Sequence, residues 1–80
     1  MTEYRSEAEL SIAVDALRHL PGVADAAVVA RAEYDTAVVE VVIAEGYDRV
    51  PPRVLRRLAE HDCGIVDVSR QGTQRVVTAY

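Results

Sequence analysis

The residues of this chain best suited to chemistry are few and scattered: His61-Asp62-Cys63, a second histidine at His19, and three arginines at Arg53, Arg56 and Arg57. Histidine, carboxylate and thiolate are all metal ligands, and zinc asks for about four of them in a tetrahedral array. An H-x-C spacing at a helix end sends its side chains in different directions and leaves the ligand count short. A metal carrier is therefore the remote reading; a helix-terminal histidine beside a half-buried small cysteine is the nearer one. The arginines carry guanidinium forks that suit phosphate or carboxylate, which keeps a nucleic-acid module as an alternative. The same stripe also reads as a solvated helix face, partly neutralised by Glu60. No Ser/His/Asp arrangement, paired-carboxylate motif or glycine-rich phosphate loop is present, so no catalytic residue can be named. The chain reads as a non-enzyme with no cofactor and no metal.

Composition narrows the classes further. Eighty residues make one small domain that buries only about 60–65% of the surface its unfolded chain exposes, and a second core is excluded. Half the residues are hydrophobic, yet Trp and Phe are absent, so the interior must be a close-packed aliphatic layer. The net charge is -4, from nine Arg, no Lys and thirteen acidic residues; such a field repels polyphosphate and argues against general nucleic-acid affinity. One cysteine cannot form an internal disulfide, and the opening MTEYRSEAEL has neither a basic nor an apolar secretory region, so a cytoplasmic protein is expected. The most apolar stretch, Val38 to Ala44, is interrupted by Glu40 and is far shorter than the roughly 20 residues of a membrane helix; no membrane partner is expected.

The elements that would position these residues occur twice. Laying Ala16-Leu17-Arg18-His19-Leu20 on Val54-Leu55-Arg56-Arg57-Leu58, a shift of 38 residues, carries Val28 onto Val66, Ala30 onto Val68 and Val38-Val39 onto Val76-Val77. Each copy is an amphipathic helix followed by a β-hairpin. In the first, Ser6-Glu7-Ala8-Glu9 has capping-box spacing, Leu10, Ala13, Val14, Leu17 and Leu20 form one stripe, and Pro21-Gly22 ends the run. A period of two follows, with a turn at Glu33-Tyr34-Asp35. In the second, Pro51-Pro52 opens a helix reaching about Asp62, with Val54, Leu55, Leu58 and Ala59 as its buried stripe and Gly64 as its left-handed cap. Its hairpin uses Ile65 to Arg70, a turn at Gln71-Gly72, and Arg75 to Tyr80. The expected fold is α+β: residues 1–5 as a tail, then 6–80 as an α-β-β-α-β-β two-layer sandwich. Its four-stranded antiparallel sheet has order 3-4-2-1 with both helices on one face, a permuted ferredoxin-like arrangement.

The run Val14-Asp15-Ala16-Leu17-Arg18-His19-Leu20-Pro21-Gly22-Val23, followed by Ala32-Glu33-Tyr34-Asp35 and Val38-Val39-Glu40-Val41, resembles the ACT-like ligand-sensing domain of leucine-responsive regulators, whose pattern is a helix, L-P-x-V, a strand, G-x-Y-D at the turn, then an apolar strand. It is similar, more weakly, to the heavy-metal-associated domain through the A-L-x-x-L-P-G-V run, without that family's C-x-x-C. About residues 10 to 68 are covered. The regulator's domain has a strand before its first helix that this chain lacks, Gly where Ala32 stands, and no counterpart to the final strand. The resemblance implies an effector-binding turn between protomers at Tyr34 and Asp35. Read as residues, Asp35 closes the hairpin by bonding backbone amides and Tyr34 shields the sheet edge.

Alternation places Val29, Val38, Val42, Val76 and Tyr80 on the face away from the helices, interrupted by Arg31, Glu40, Asp67 and Thr78. A wet antiparallel face ordinarily carries more polar residues, and a patch of several hundred Å² marks a partner site. The expected function is thus a small regulatory or interaction module that self-associates as a homodimer through its open face or edge, with a protein partner or small effector as further candidates. The acid-rich, Lys-free composition has two readings, GC-rich codon usage or adaptation to a high-salt cytoplasm, where charge repulsion is screened over about 3 Å at 1 M. Salt adaptation predicts a melting temperature that climbs from low to molar salt; a melt indifferent to salt leaves codon usage as the explanation.

Overall fold

Proline and glycine punctuation, with two hydrophobic periods, sets the element boundaries of this chain. The computed structural model describes residues 7–80; the tail at 1–5 and the capping residue Ser6 lie outside the described residues. Helix α1 spans Glu7–Arg18 with Leu10, Ala13, Val14 and Leu17 buried and Ile12 on its wet side. Glu7 and Glu9 sit in its first turn and Arg18 in its last, the polarity the helix dipole favours. After it, Gly22 takes a φ of +93°, and its carbonyl accepts the Ala44 amide at 2.8 Å. A side chain at Gly22 would also run into Tyr47 and Pro51.

The remaining elements are β1 (Val23–Arg31), a 3-10 turn (Ala32–Tyr34), β2 (Thr36–Ile43), α2 (Pro52–Glu60), β3 (Ile65–Gln71) and β4 (Gln74–Ala79). The sheet is antiparallel throughout with order β1-β2-β4-β3, the expected 3-4-2-1 read from the other edge. The α-β-β-α-β-β sandwich is therefore a permuted ferredoxin-like topology with the last strand in the middle. On the helix side, Val28 faces Val39 and Ala26 faces Val41, while Val41 faces Val77 and Val39 faces Ala79. Together with Leu10, Leu17, Val54 and Leu58 these make one aliphatic core.

The repeat has a geometric counterpart. A shift of 38 residues turns the pair Val39–Ala79 into the pair Val77–Val41, so the central β2/β4 ladder maps onto itself, with Glu40–Thr78 as its fixed pair. The outer strands do not follow the same shift. Val28 lies opposite Val39, whereas Val68, not Val66, lies opposite Val77. The difference is two residues, and the hairpin loops absorb it. The first hairpin closes through the four residues Ala32 to Asp35, with Arg31 paired to Thr36, whereas the second closes through Gly72-Thr73 alone, with Gln71 paired to Gln74. Gly72 at φ +62° supplies the Gly-first pattern of the primed hairpin turns. Each outer strand also carries a one-residue register break, between Val23 and Asp25 in β1 and between Ile65 and Asp67 in β3, so the breaks add nothing to the difference.

Two expectations for the second helix are corrected. Only Val54 and Leu58 are buried, while Leu55 and Ala59 are exposed. Helix α2 has nine residues to the twelve of α1, and it packs chiefly on α1. Its cap is not Gly64. Asp62 takes the left-handed position at φ 56°, its amide donates to Ala59 and the Cys63 amide to Leu58 at 3.0 and 2.9 Å, the two bonds of a Schellman ending. Gly64 instead exchanges both backbone hydrogen bonds with Tyr80, extending the β3/β4 ladder. No helix among the described residues is long and apolar enough to cross a membrane.

A left-handed residue with a branched Cβ is strained by about 1–2 kcal/mol. Asp62→Val is accordingly expected to lower stability by about that amount in a chemical melt, with Asp62→Gly at least as stable as the parent; equal midpoints for the two variants would contradict the cap.

Candidate functional site

The helix-free face is built by the two central strands and roofed by side chains from their flanks. Val29 stands opposite Val38 and Val42 opposite Val76, all pointing away from the helices as alternation requires. They are not bare, however. Val38 is 0% and Val76 3% exposed, Val29 and Val42 are half-buried, and Tyr80 is exposed. In β4 four consecutive residues, Val76 to Ala79, are buried: a central strand is shaded from both flanks, so residues on both of its faces lose solvent. The face thus offers less apolar surface than alternation alone predicts.

The roof has two parts. At one end the four-residue hairpin turns Tyr34 toward Tyr80, their ring centroids 6.0 Å apart and tilted by 57°, an edge-to-face type of contact. Since Val39 pairs with Ala79, Val38 sits beside Tyr80 on the same face. Next to this, Arg31 on β1 reaches across to Glu40 on β2. Its Nε donates to Glu40 Oε2 at 2.8 Å and its Nη2 to the same oxygen. The bond and the charge of Glu40 hold the Arg31 guanidinium above its usual pKa.

Between these parts lies a hollow of about 300 Å³. Its charged wall is Arg31, Glu33, Glu40 and Asp67, Tyr34 closes one side, and Ser69, Gln71, Val76 and Thr78 make the rest. Thr78 is only 6% exposed. Partial desolvation pushes the Tyr34 phenol above the ordinary tyrosine value, the negative charges of Asp67 and Glu33 add to the push, and Arg31 opposes it.

Tyr34 and Asp35 therefore part company. Tyr34 enters the hollow wall, whereas Asp35 is exposed, adopts a left-handed φ of 55° and donates its amide to Ala32 at 3.2 Å. Its place is the turn, where Asp tolerates that conformation. The arginine row is largely engaged: Arg53 donates to the Pro21 carbonyl at 3.0 Å and Arg57 pairs with Glu60 at 3.0 Å, with Arg56 exposed. Cys63 is buried and its thiol donates to the His61 carbonyl at 3.5 Å. Among the described residues no group of three or more His, Cys, Asp and Glu is placed to hold a metal.

Sequence reading marked Arg31, Glu40, Asp67 and Thr78 only as polar interruptions of an apolar face. Their shared parity, and the repeat that superposes Glu40 on Thr78, are the signals that would have gathered them into one site. Ser69, Gln71 and Glu33 carried no such signal, because their positions depend on the two-residue difference between the hairpins. No protein-family model, curated protein or solved structure matches the chain, so the site is interpreted from its own residues.

Because the folded-state pKa of Tyr34 is raised, the unfolded chain loses its phenolic proton first as pH climbs. Any stability carried by the neutral phenol is complete below pH 10.0 and is lost as the pH passes through the raised folded value. Ultraviolet titration is expected to show one tyrosine ionising above pH 10.0, and Tyr34→Phe to remove that late step. A profile unchanged in the variant would contradict the assignment.

Proposed function

We propose that this chain is a non-enzymatic interaction module that self-associates through the β3 edge of its sheet, so that two copies build one continuous sheet. The observation that carries the reading is the exposure of Ile65, Val66 and Val68, each 41 to 45% exposed. Helix α1 packs on β1 and then β2, α2 packs on α1, and β3 has its principal contacts with β4 alone. β1, the other edge, lies under α1.

Edge strands in solitary proteins are blunted with lysine, proline or distortion. β3 has no Lys and no Pro, and its register break affects only the first residues, leaving Asp67 to Gln71 in continuous pairing. Charge favours a second copy as the occupant. In a chain of net -4, β3 carries one Asp and one Arg and is neutral. Antiparallel pairing about a two-fold axis at Val68 sets Val68 against its own copy and Asp67 of each chain opposite Ser69 of the other, so no like charges meet. Val66 and Ile65 then flank the joint. The resemblance to ACT-like regulatory domains supports the same class of role. The engagement of Arg53 and Arg57 within the chain leaves the nucleic-acid alternative without a row of free guanidinium groups.

Pairing along a single strand buries little area and gives a weak, reversible dimer. Light scattering is expected to show a mass that rises with concentration. Val68→Lys should hold the protein monomeric, while Ile12→Lys, on the wet side of α1, should leave association intact. A monomer up to about 1 mM in both low and high salt would defeat the proposal.

A further inference from the structure

The hollow on the helix-free face mixes hydroxyl and amide groups, which can donate or accept, with three carboxylates and one guanidinium, so its net charge decides the sign of a ligand. Arg31 commits two guanidinium nitrogens to one oxygen of Glu40, which neutralises its charge within the hollow. Glu33 and Asp67 have no cation within ion-pairing distance among the described residues. With Arg31 and Glu40 cancelling, the lining keeps two uncompensated negative charges. A second observation is independent of these carboxylates. Thr78 lines the hollow, is 6% exposed as a residue, and has no hydrogen bond from its hydroxyl among the described residues, so the small part of it left open faces the hollow.

Tyr34 supplies the remaining element, a ring held in place by Tyr80 at 6.0 Å. Carboxylates, a hydroxyl acceptor and an aromatic face are together complementary to an ammonium group, which has donors only and a charge that aromatic rings attract. We propose that this hollow binds a small alkylammonium ion, with Glu33 and Asp67 taking its N–H donors, Thr78 accepting at the floor and the Tyr34 ring packed against the charge. A volume of about 300 Å³ lies at the lower end of small-molecule sites, so the fit is to an amine of a few carbons. The rise of the Tyr34 pKa under Asp67 and Glu33 is consistent with both carboxylates acting on the ring. Asp67, Ser69 and Gln71 of the lining lie on β3, so the site adjoins the proposed joint, and the monomeric variant is needed to read it alone.

Amide NMR titration with putrescine and with methylammonium, at constant ionic strength and against sodium chloride and sodium phosphate, tests this directly. Saturable shifts are expected at Glu33, Tyr34, Asp67 and Thr78, with putrescine binding more tightly. The same shifts are expected in Val68→Lys, which separates this site from edge association. Removing two charge-assisted partners in the double variant Glu33→Gln/Asp67→Asn should weaken binding by roughly tenfold or more. Both positions are exposed, so the fold should persist, as unchanged amide dispersion would report. Tyr34→Leu should weaken binding and Tyr34→Phe retain it. Shifts spread over the acidic surface, an affinity unchanged in the double variant, or a response to phosphate at Arg31 would overturn the proposal.

Discussion

The ladder between β2 and β4 is the constraint on which the rest of this structure depends. Each helix-hairpin unit has an apolar side it cannot cover alone, and the two units meet along this one antiparallel seam. Through it Val39 and Val41 of the first half reach Ala79 and Val77 of the second, and all four are fully buried. Without the seam each half would be a two-stranded hairpin with one helix, too small to bury a sizeable core. The seam also creates the two central strands, and therefore the only positions shaded on both faces.

A repeat that superposed perfectly would give a symmetric domain with nothing to distinguish its two edges. The two-residue difference between the hairpins breaks that symmetry. The longer first turn has room for a 3-10 segment that delivers Tyr34 onto the helix-free face; the equivalent turn of the second half is Gly72-Thr73, with no side chain to deliver in the glycine. One end of the open face is consequently roofed by aromatic rings, and the flanks contribute Arg31 and Glu33 from the first half, Asp67 and Ser69 from the second. The hollow is thus a product of near-symmetry: the seam supplies Glu40 and Thr78 as its floor, and the mismatch between hairpins supplies dissimilar walls.

This division also explains what was legible in the residues. The stripe Leu10, Ala13, Val14 and Leu17, the switch to period two after Val23, and the repeat of Val38-Val39 in Val76-Val77 are local patterns, and local patterns sufficed for the element order and the strand order. The helix-two stripe was overdrawn because periodicity reports which residues share a face, not how far a neighbouring layer extends; Leu55 and Ala59 share their face with too little sheet. The cap was misplaced because Asp also tolerates the left-handed conformation, and the Schellman bonds that select Asp62 depend on where the chain goes next. Exposure on the open face was overdrawn for a different reason. Alternation assigns Val38 and Val76 to that side correctly, but both lie on central strands flanked by neighbours on either side, a tertiary arrangement that no single strand encodes.

The same asymmetry controls where apolar surface remains. At 1.5 Å of rise per residue, an α2 three residues shorter than α1 is about 4.5 Å shorter, and β3 has its principal contacts with β4 alone. Four of the exposed large aliphatic side chains, Leu55, Ile65, Val66 and Val68, belong to the second half, against Ile12 alone in the first. Hydration of branched side chains is unfavourable in proportion to their exposed area, so the exposed aliphatic side chains of β3 cost the monomer stability at that edge. That cost is offset only if a further surface covers the edge. A surface that is itself neutral and free of lysine and proline meets β3 without setting like charges against each other, and β3 satisfies those conditions for its own copy.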